Sequence, residues 1–333
     1  MEKMFTSAGP VLDENGSPYP GYSTKSLLRY DRSAIKAPPW RIKEWDFYQV
    51  SDKEKCLQMT IGHASYVGQV SLMLFDFRKG VRLIEKSKLI ALPFGSMHMP
   101  SNTETDHVLS YNKNGIKMSF DVKGDVRTLT CQWDDVSAEL VLRRKNPYSV
   151  VINIPFDESP HAFYYNHKIN SMSASGTVKS KDGEWTFSQD DSFGLLDWGR
   201  GVWPFHDEWY WSNGTGIIDG KIFGFNLGRG FGNTSQATEN MLFYDGEYYK
   251  LSAVDFILGD DVMKPWQFRD KEGRLSFTLT PTYDRTTVAK ALWINNCCHQ
   301  MFGDFSGTAD LGDGRVLRID KLPAFAEHAV NNW

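Results

Sequence analysis

Apolar and polar residues alternate with a period of two along much of this chain, in runs interrupted by Asx-Gly pairs. LSYNKNGIKMSFDV (109–122), TVKSKDGEWTFS (177–188), NMLFYDGEYYKL (240–251) and TADLGDGRVLRID (308–320) all have this form. Successive side chains of a strand point to opposite faces, and an Asn-Gly or Asp-Gly pair supplies the positive φ that a two-residue hairpin turn needs. Asn114-Gly115, Asp182-Gly183, Asn213-Gly214, Asp219-Gly220, Asp245-Gly246 and Asp313-Gly314 therefore predict hairpin tips. A helical period with polar flanks occurs only in TKSLLRY (24–30) and PAFAEHAV (323–330). The expected fold is all-β with little helix. So many strands must close or stack their edges, which leaves two antiparallel β-barrel or sandwich units packed together.

The length of 333 residues suits two such units. The polar opening, residues 1–40, reads as an arm over the surface closed by an Ala37-Pro38-Pro39-Trp40 anchor. An N-terminal β domain over 41–170 and a C-terminal one over 171–333 follow. The 41 acidic and 37 basic residues are dispersed, so no basic patch invites nucleic acid. No run approaches the roughly 18 apolar residues of a spanning helix, and MEKMFTSAGPVLDENG lacks a secretory apolar stretch, so no membrane span and a cytoplasmic location are expected. Oligomeric state is not legible. Cys56, Cys131, Cys297 and Cys298 lack paired CxxC spacing and read as reduced thiols in strands. The Cys297-Cys298-His299 run is the one place for redox or metal chemistry, and small buried hydrophobes are the simpler reading. Histidines such as His63 and His299 show no local metal-site partner, so neither a metal nor another cofactor is expected.

Candidate chemistry concentrates in LLDWGRGVWPFHDEWYW (195–211), which sets Asp197, Arg200, His206, Asp207 and Glu208 among Trp198, Trp203, Trp209 and Trp211. On a strand Trp209 and Trp211 share one face and Tyr210 takes the other. Gly199 and Gly201 permit a tight backbone that brings Asp197 beside Arg200 as a buried pair. GFNLGRGFGNTSQATEN (224–240) adds Asn226, Arg229, Glu239 and Asn240 around glycines, without the G-x-G-x-x-G spacing or the following helix of a dinucleotide loop. Glu239 among aromatics would have the raised pKa of a proton donor, or else be a turn-binding surface glutamate. In HAFYYNHKIN (161–170), Phe163, Tyr165 and His167 share one face and Tyr164, Asn166 and Lys168 the other, and either face suits a cavity wall. Tyr165 and His167 are taken as the ligand-facing pair. No G-x-S-x-G elbow or Walker loop is present.

DWGRGVWPF (197–205), WYW (209–211), GFNLGRGFG (224–232), ATENMLFYDG (237–246), AFYYNHKIN (162–170), HQMFGDFSG (299–307) and FAEHAVNNW (325–333) together resemble the bacterial domain of unknown function 2804 family, in order and across nearly the whole chain. That family is distantly similar to carotenoid 1,2-hydratase-like and tocopherol-cyclase-like proteins. The resemblance implies two lipocalin-like β-barrels and a cofactor-free cavity in which an acid protonates an alkene and indole faces stabilise the cation.

The resulting expectation is a cofactor-independent hydratase, cyclase or isomerase acting on an apolar or ring-shaped, terpenoid-like small molecule. Asp197 or Glu239 would donate the proton and Arg200 would hold Asp197 or an anionic group. Trp198, Trp203, Trp209 and Trp211 would stack on the substrate, while Asn226 and Asn240 orient a hydroxyl or water. Two alternatives remain open at this point. One is a non-catalytic lipocalin-like carrier of a lipid, pigment or sugar. The other is a carbohydrate-active enzyme pairing two of Asp197, Asp207, Glu208 and Glu239 across roughly 5–9.5 Å.

Overall fold

The computed structural model describes residues 2–291 and 294–332. Among them strand follows strand, and the only helical elements are the single 3-10 turns Arg32–Ala34 and Pro39–Arg41. Apart from the short parallel pair Gly9–Pro10 and Leu28–Arg29, the strands form two curled antiparallel sheets, the two-unit calycin-like, all-β arrangement expected. The first sheet runs in the order Val81–Ala91, Val67–Asp76, Lys55–His63, Ile42–Ser51, Phe193–Val202, Phe163–Ser180, Val136–Arg143, Val126–Trp133, Ile116–Lys123, His107–Lys113. The second runs Glu247–Lys250, Met241–Tyr244, Lys221–Arg229, His206–Ile218, Val316–Asn332, Ile294–Asp310, Leu275–Ala291, Trp266–Asp270, Val254–Ile257.

Each sheet wraps its concave face around its own apolar filling, with Met59, Leu72, Phe120 and Leu140 in the first and Phe225, Phe268, Phe277 and Phe305 in the second. Between them lies a smaller aromatic layer that includes Phe75, Trp211, Phe302 and Phe325. Burial of this much apolar surface is what offsets the entropy of ordering two long β meanders.

Asn114-Gly115, Asp219-Gly220 and Asp245-Gly246 each close a hairpin with both residues at positive φ, as a type I′ turn requires. Asn213-Gly214 does not turn. It lies inside the His206–Ile218 strand, where a Cβ on Gly214 would stand 2.5 Å from that of Ala324. The pair there serves close sheet packing, and the Asn213 amide donates to Asn170 and Asn226 instead of folding onto its own backbone. Neither helical pattern forms a helix. Residues 323–330 belong to the Val316–Asn332 strand, whose backbone is hydrogen-bonded by a strand on each side; eight residues of helical period cannot compete with two ladders. Within 24–30, Leu28–Arg29 pairs with Gly9–Pro10.

The boundary expected at 170/171 falls inside the Phe163–Ser180 strand. The chain changes sheets only between Val202 and His206, because the Phe193–Val202 strand returns to pair with Phe163–Ser180. Nor does the opening simply lie over the surface, since Phe5, Val11, Leu12, Leu28 and Tyr30 are buried and Gly21–Ser23 adds to the Val150–Pro155 strand. Trp40, expected as part of the anchor, is 57% exposed. No helix among the described residues is long and apolar enough to cross a membrane.

Candidate active site

Where the two sheets meet they form a half-open cavity of about 300 Å³. Its walls are two rows of cross-strand neighbours. In the first sheet Lys168 pairs in register with Asp197, Asp197 with Phe47, Phe47 with Thr60 and Thr60 with Ser71. In the second, Trp211 pairs with Glu327, Glu327 with Gln300 and Gln300 with Arg285. All nine line the cavity. Lys168 lies over the Trp211 ring, 5.0 Å from its centroid, so the two rows run alongside each other in the same sense.

Aromatic rings close the Lys168 end. Trp45 and Trp203 lie 4.9 Å apart, Trp203 and Phe231 5.3 Å, and Trp209 and Phe231 5.0 Å. Trp45 lies flat against the Phe193–Val202 strand because residue 199 is glycine: a Cβ there would come 2.2 Å from the indole.

Lys168 is fully buried with four partners on Nζ: Glu239 Oε2 at 2.7 Å, Asn166 Oδ1 at 2.8 Å, Asp197 Oδ1 at 3.2 Å and the Tyr164 hydroxyl at 3.2 Å. Burial pushes its ammonium down, but the adjacent carboxylates of Asp197 and Glu239 prevail and hold it well above the usual lysine value. Asp197 also accepts from Asn166 Nδ2 at 2.7 Å and Trp45 Nε1 at 2.9 Å. Glu239 Oε2 accepts from Asn226 Nδ2 at 3.2 Å. Gly228 makes room for this carboxylate, since a Cβ there would stand 2.0 Å from Oε1.

Glu327 is the other carboxyl group on the cavity. It accepts from Trp209 Nε1 at 2.7 Å and Gln300 Nε2 at 3.2 Å. Burial pushes its carboxyl above the usual glutamate value; the Trp209 hydrogen bond and the Arg285 charge oppose that shift, and the charge of Asp197 adds to it.

The structure thus brings Asp197, Glu239, Trp203, Trp209 and Trp211 onto one cavity. Others of the expected residues lie elsewhere. Asp197 and Arg200 do not pair, because residues three apart on a strand face opposite ways. Arg200 points into the first sheet's interior and binds Asp46 at 2.8 Å. Trp198 shares that face, 4.0 Å from the Arg200 guanidinium and edge-on to Tyr30 and Tyr165. Tyr165 donates to the Leu28 carbonyl and His167 contacts Thr103 and Ser149, so the buried core takes this face of the 163–168 segment and the cavity takes Tyr164 and Lys168. Asn226 sits behind the wall, accepting from Trp211 Nε1 at 2.8 Å, and Asn240 binds the Gly228 amide and the Ser252 carbonyl. Asp207 and Glu208 line a separate surface groove with His206 and Arg229.

Cys298 reaches the cavity wall, and burial pushes its thiol well above the ordinary value, away from a reactive thiolate. Among the described residues no group of three or more His, Cys, Asp or Glu is placed to hold a metal ion.

Two curled antiparallel sheets with a Trp-walled cavity at their junction define a calycin-like β protein. The chain matches Domain of unknown function (DUF2804) over residues 2–333 and belongs to that family. Among solved structures, CghA with Sch210972 superposes with a TM-score of 0.57 at 11% identity, over 97% of each chain. Kievitone hydratase from Nectria haematococca superposes at 0.52 and 9% identity, over 97% of this chain and 98% of that one. At these identities the likeness is one of fold. Among curated proteins none matches the chain.

Proposed function

We propose that the protein is a cofactor-independent enzyme of the hydratase, cyclase or isomerase type, acting on a largely apolar, ring-bearing small molecule in the cavity between its sheets. The observation that carries this reading is Glu327, a carboxyl raised in pKa by burial and set on a wall of indoles. A carboxyl raised in this way keeps its proton to higher pH than a free glutamate does and can deliver it. The proton passes from the Glu327 carboxyl to one alkene carbon, whose π pair forms the new C–H bond. The cation left on the neighbouring carbon lies against the faces of Trp209 and Trp211. Return of a proton from an adjacent carbon to the Glu327 carboxylate completes an isomerisation; attack of a second alkene's π pair on the cation closes a ring first, and the same proton return then ends a cyclisation. Alternatively a water adds, and its surplus proton restores the carboxylic acid.

Asp197 and Glu239, the proton donors expected from sequence, take a different part in this reading. Both face the Lys168 ammonium, and Glu239 Oε1 remains to accept from a substrate hydroxyl. The hydratase named among the structural neighbours supports the reaction class by analogy of fold alone.

The test is incubation with a panel of cyclic terpenoid alkenes in deuterated water, followed by mass spectrometry. Wild type should gain deuterium or the mass of water on at least one bound alkene. Glu327→Gln should lose about a hundredfold of that rate while still quenching tryptophan fluorescence on binding. Binding without turnover across the panel would instead establish a carrier, and unchanged turnover in Glu327→Gln would remove Glu327 from the chemistry.

A further inference from the structure

The two ends of the cavity differ in chemistry. At one end Lys168 has its donors taken by Asp197, Glu239 and Asn166 under a cap of indole rings. At the other end Arg285, half-buried on the Leu275–Ala291 strand, faces Thr60 and Ser71 of the first sheet's row. Its side-chain contacts are Met73 Sδ at 3.0 Å and Gln300 Oε1 at 3.5 Å, and among the described residues no carboxylate oxygen lies within ion-pair distance of it. A guanidinium carries five N–H donors in a planar fork, so most of this one's capacity is left to whatever occupies the cavity. The carboxyl on its row, Glu327, is separated from Arg285 by Gln300 in the register of the three strands.

We propose that the cavity's ligand carries a carboxylate, bound by Arg285, on an apolar ring-bearing body that lies under the indoles. This rests on the small-molecule reading above and adds a substrate class to it. A planar anion fits the guanidinium fork through two parallel hydrogen bonds, and Thr60 and Ser71 complete a polar rim around it. Arg285 would then set both the orientation and the selectivity of binding, placing the ring system toward Glu327 and the tryptophans.

Two probes of one shape separate the possibilities: 2-naphthoate and its neutral amide, 2-naphthamide, titrated against tryptophan fluorescence. A charge-assisted pair favours the anion by about tenfold in affinity in wild type. Arg285→Gln should bring the ratio of the two affinities to about one, and Arg285→Lys should restore part of the preference as a point charge without the fork. Because each protein is compared with itself, a general loss of affinity does not imitate the effect. Equal binding of the two probes to wild type, or a preference that survives Arg285→Gln, overturns the anion site and leaves the small-molecule cavity standing. Failure of both probes to bind overturns the cavity reading and the anion site with it.

Discussion

Lys168 Nζ lies 2.7 Å from Glu239 Oε2, and this ion pair crosses from the first sheet to the connection between two strands of the second, Lys221–Arg229 and Met241–Tyr244. Both partners are buried, and Lys168 has a second carboxylate in Asp197. Removing the lysine therefore leaves two anions facing each other in a desolvated junction. Lys168→Met should cost about 3–5 kcal/mol in urea unfolding. Adding Asp197→Asn and Glu239→Gln to that variant should recover a large part of the loss. A loss below 1 kcal/mol for the single variant would mean the pair is open to water.

Glu327 makes stability depend on pH. Its folded-state pKa lies above the unfolded value of about 4.5, so the folded chain binds the proton more tightly. Its contribution is fully present below pH 4.5 and is lost as pH rises through the folded value. Glu327→Gln has no proton to lose. The stability of wild type relative to the variant should fall as pH is raised from 4 through neutrality, measured by urea denaturation at each pH. A difference that stays constant with pH would contradict the raised pKa.

Trp198 and Trp211 test which indoles face the ligand. Trp198→Phe should cost about 1–3 kcal/mol, because the ring packs against Arg200, Tyr30 and Tyr165, and it should leave ligand-induced quenching in place. Trp211→Phe should remove a substantial share of the quenching. Reversed outcomes would put the binding face on the other side of the first sheet.

Gly228→Ala tests the room kept for Glu239. The added methyl meets Oε1 and must drive the carboxylate off Lys168, since the backbone around it is held in the strand ladder. The expected cost is about 1–3 kcal/mol, with weakened ligand quenching. Gly246→Ala provides a comparison: its φ of +84° is strained for alanine, but nothing lies within 4 Å. That variant should lose stability without loss of binding.

The strands and most hairpin tips were legible because alternation and Asx-Gly turns are local properties of the chain. The cavity was legible in part. The alternation of Trp209, Tyr210 and Trp211 separates the faces, and the second sheet does present both indoles to the cavity. In residues 163–168 both faces are equally buried, so alternation could not say that the core takes Tyr165 and His167 while the cavity takes Tyr164 and Lys168. A lysine is a surface residue on composition alone; Lys168 stays inside because Asp197 on the neighbouring strand and Glu239, distant in sequence, bring two carboxylates to it. Glu327 was hidden for another reason. Its neighbours Phe325, Ala326 and Ala329 have a helix-like spacing, and its role depends on the strands of Trp209 and Gln300, distant in sequence.

The chain passes from one sheet to the other through three residues, Trp203, Pro204 and Phe205. Everything before them that reaches the cavity belongs to the Lys168 wall, and nearly everything after them to the wall of Glu327 and Arg285. The two walls are thus encoded on separate contiguous stretches of the gene. Recombination near codon 204 among family members would exchange one wall whole and keep the other, so ligand preference could be inherited from one parent and the lysine-centred floor from the other. A site built this way can diversify by shuffling halves as well as by single substitutions.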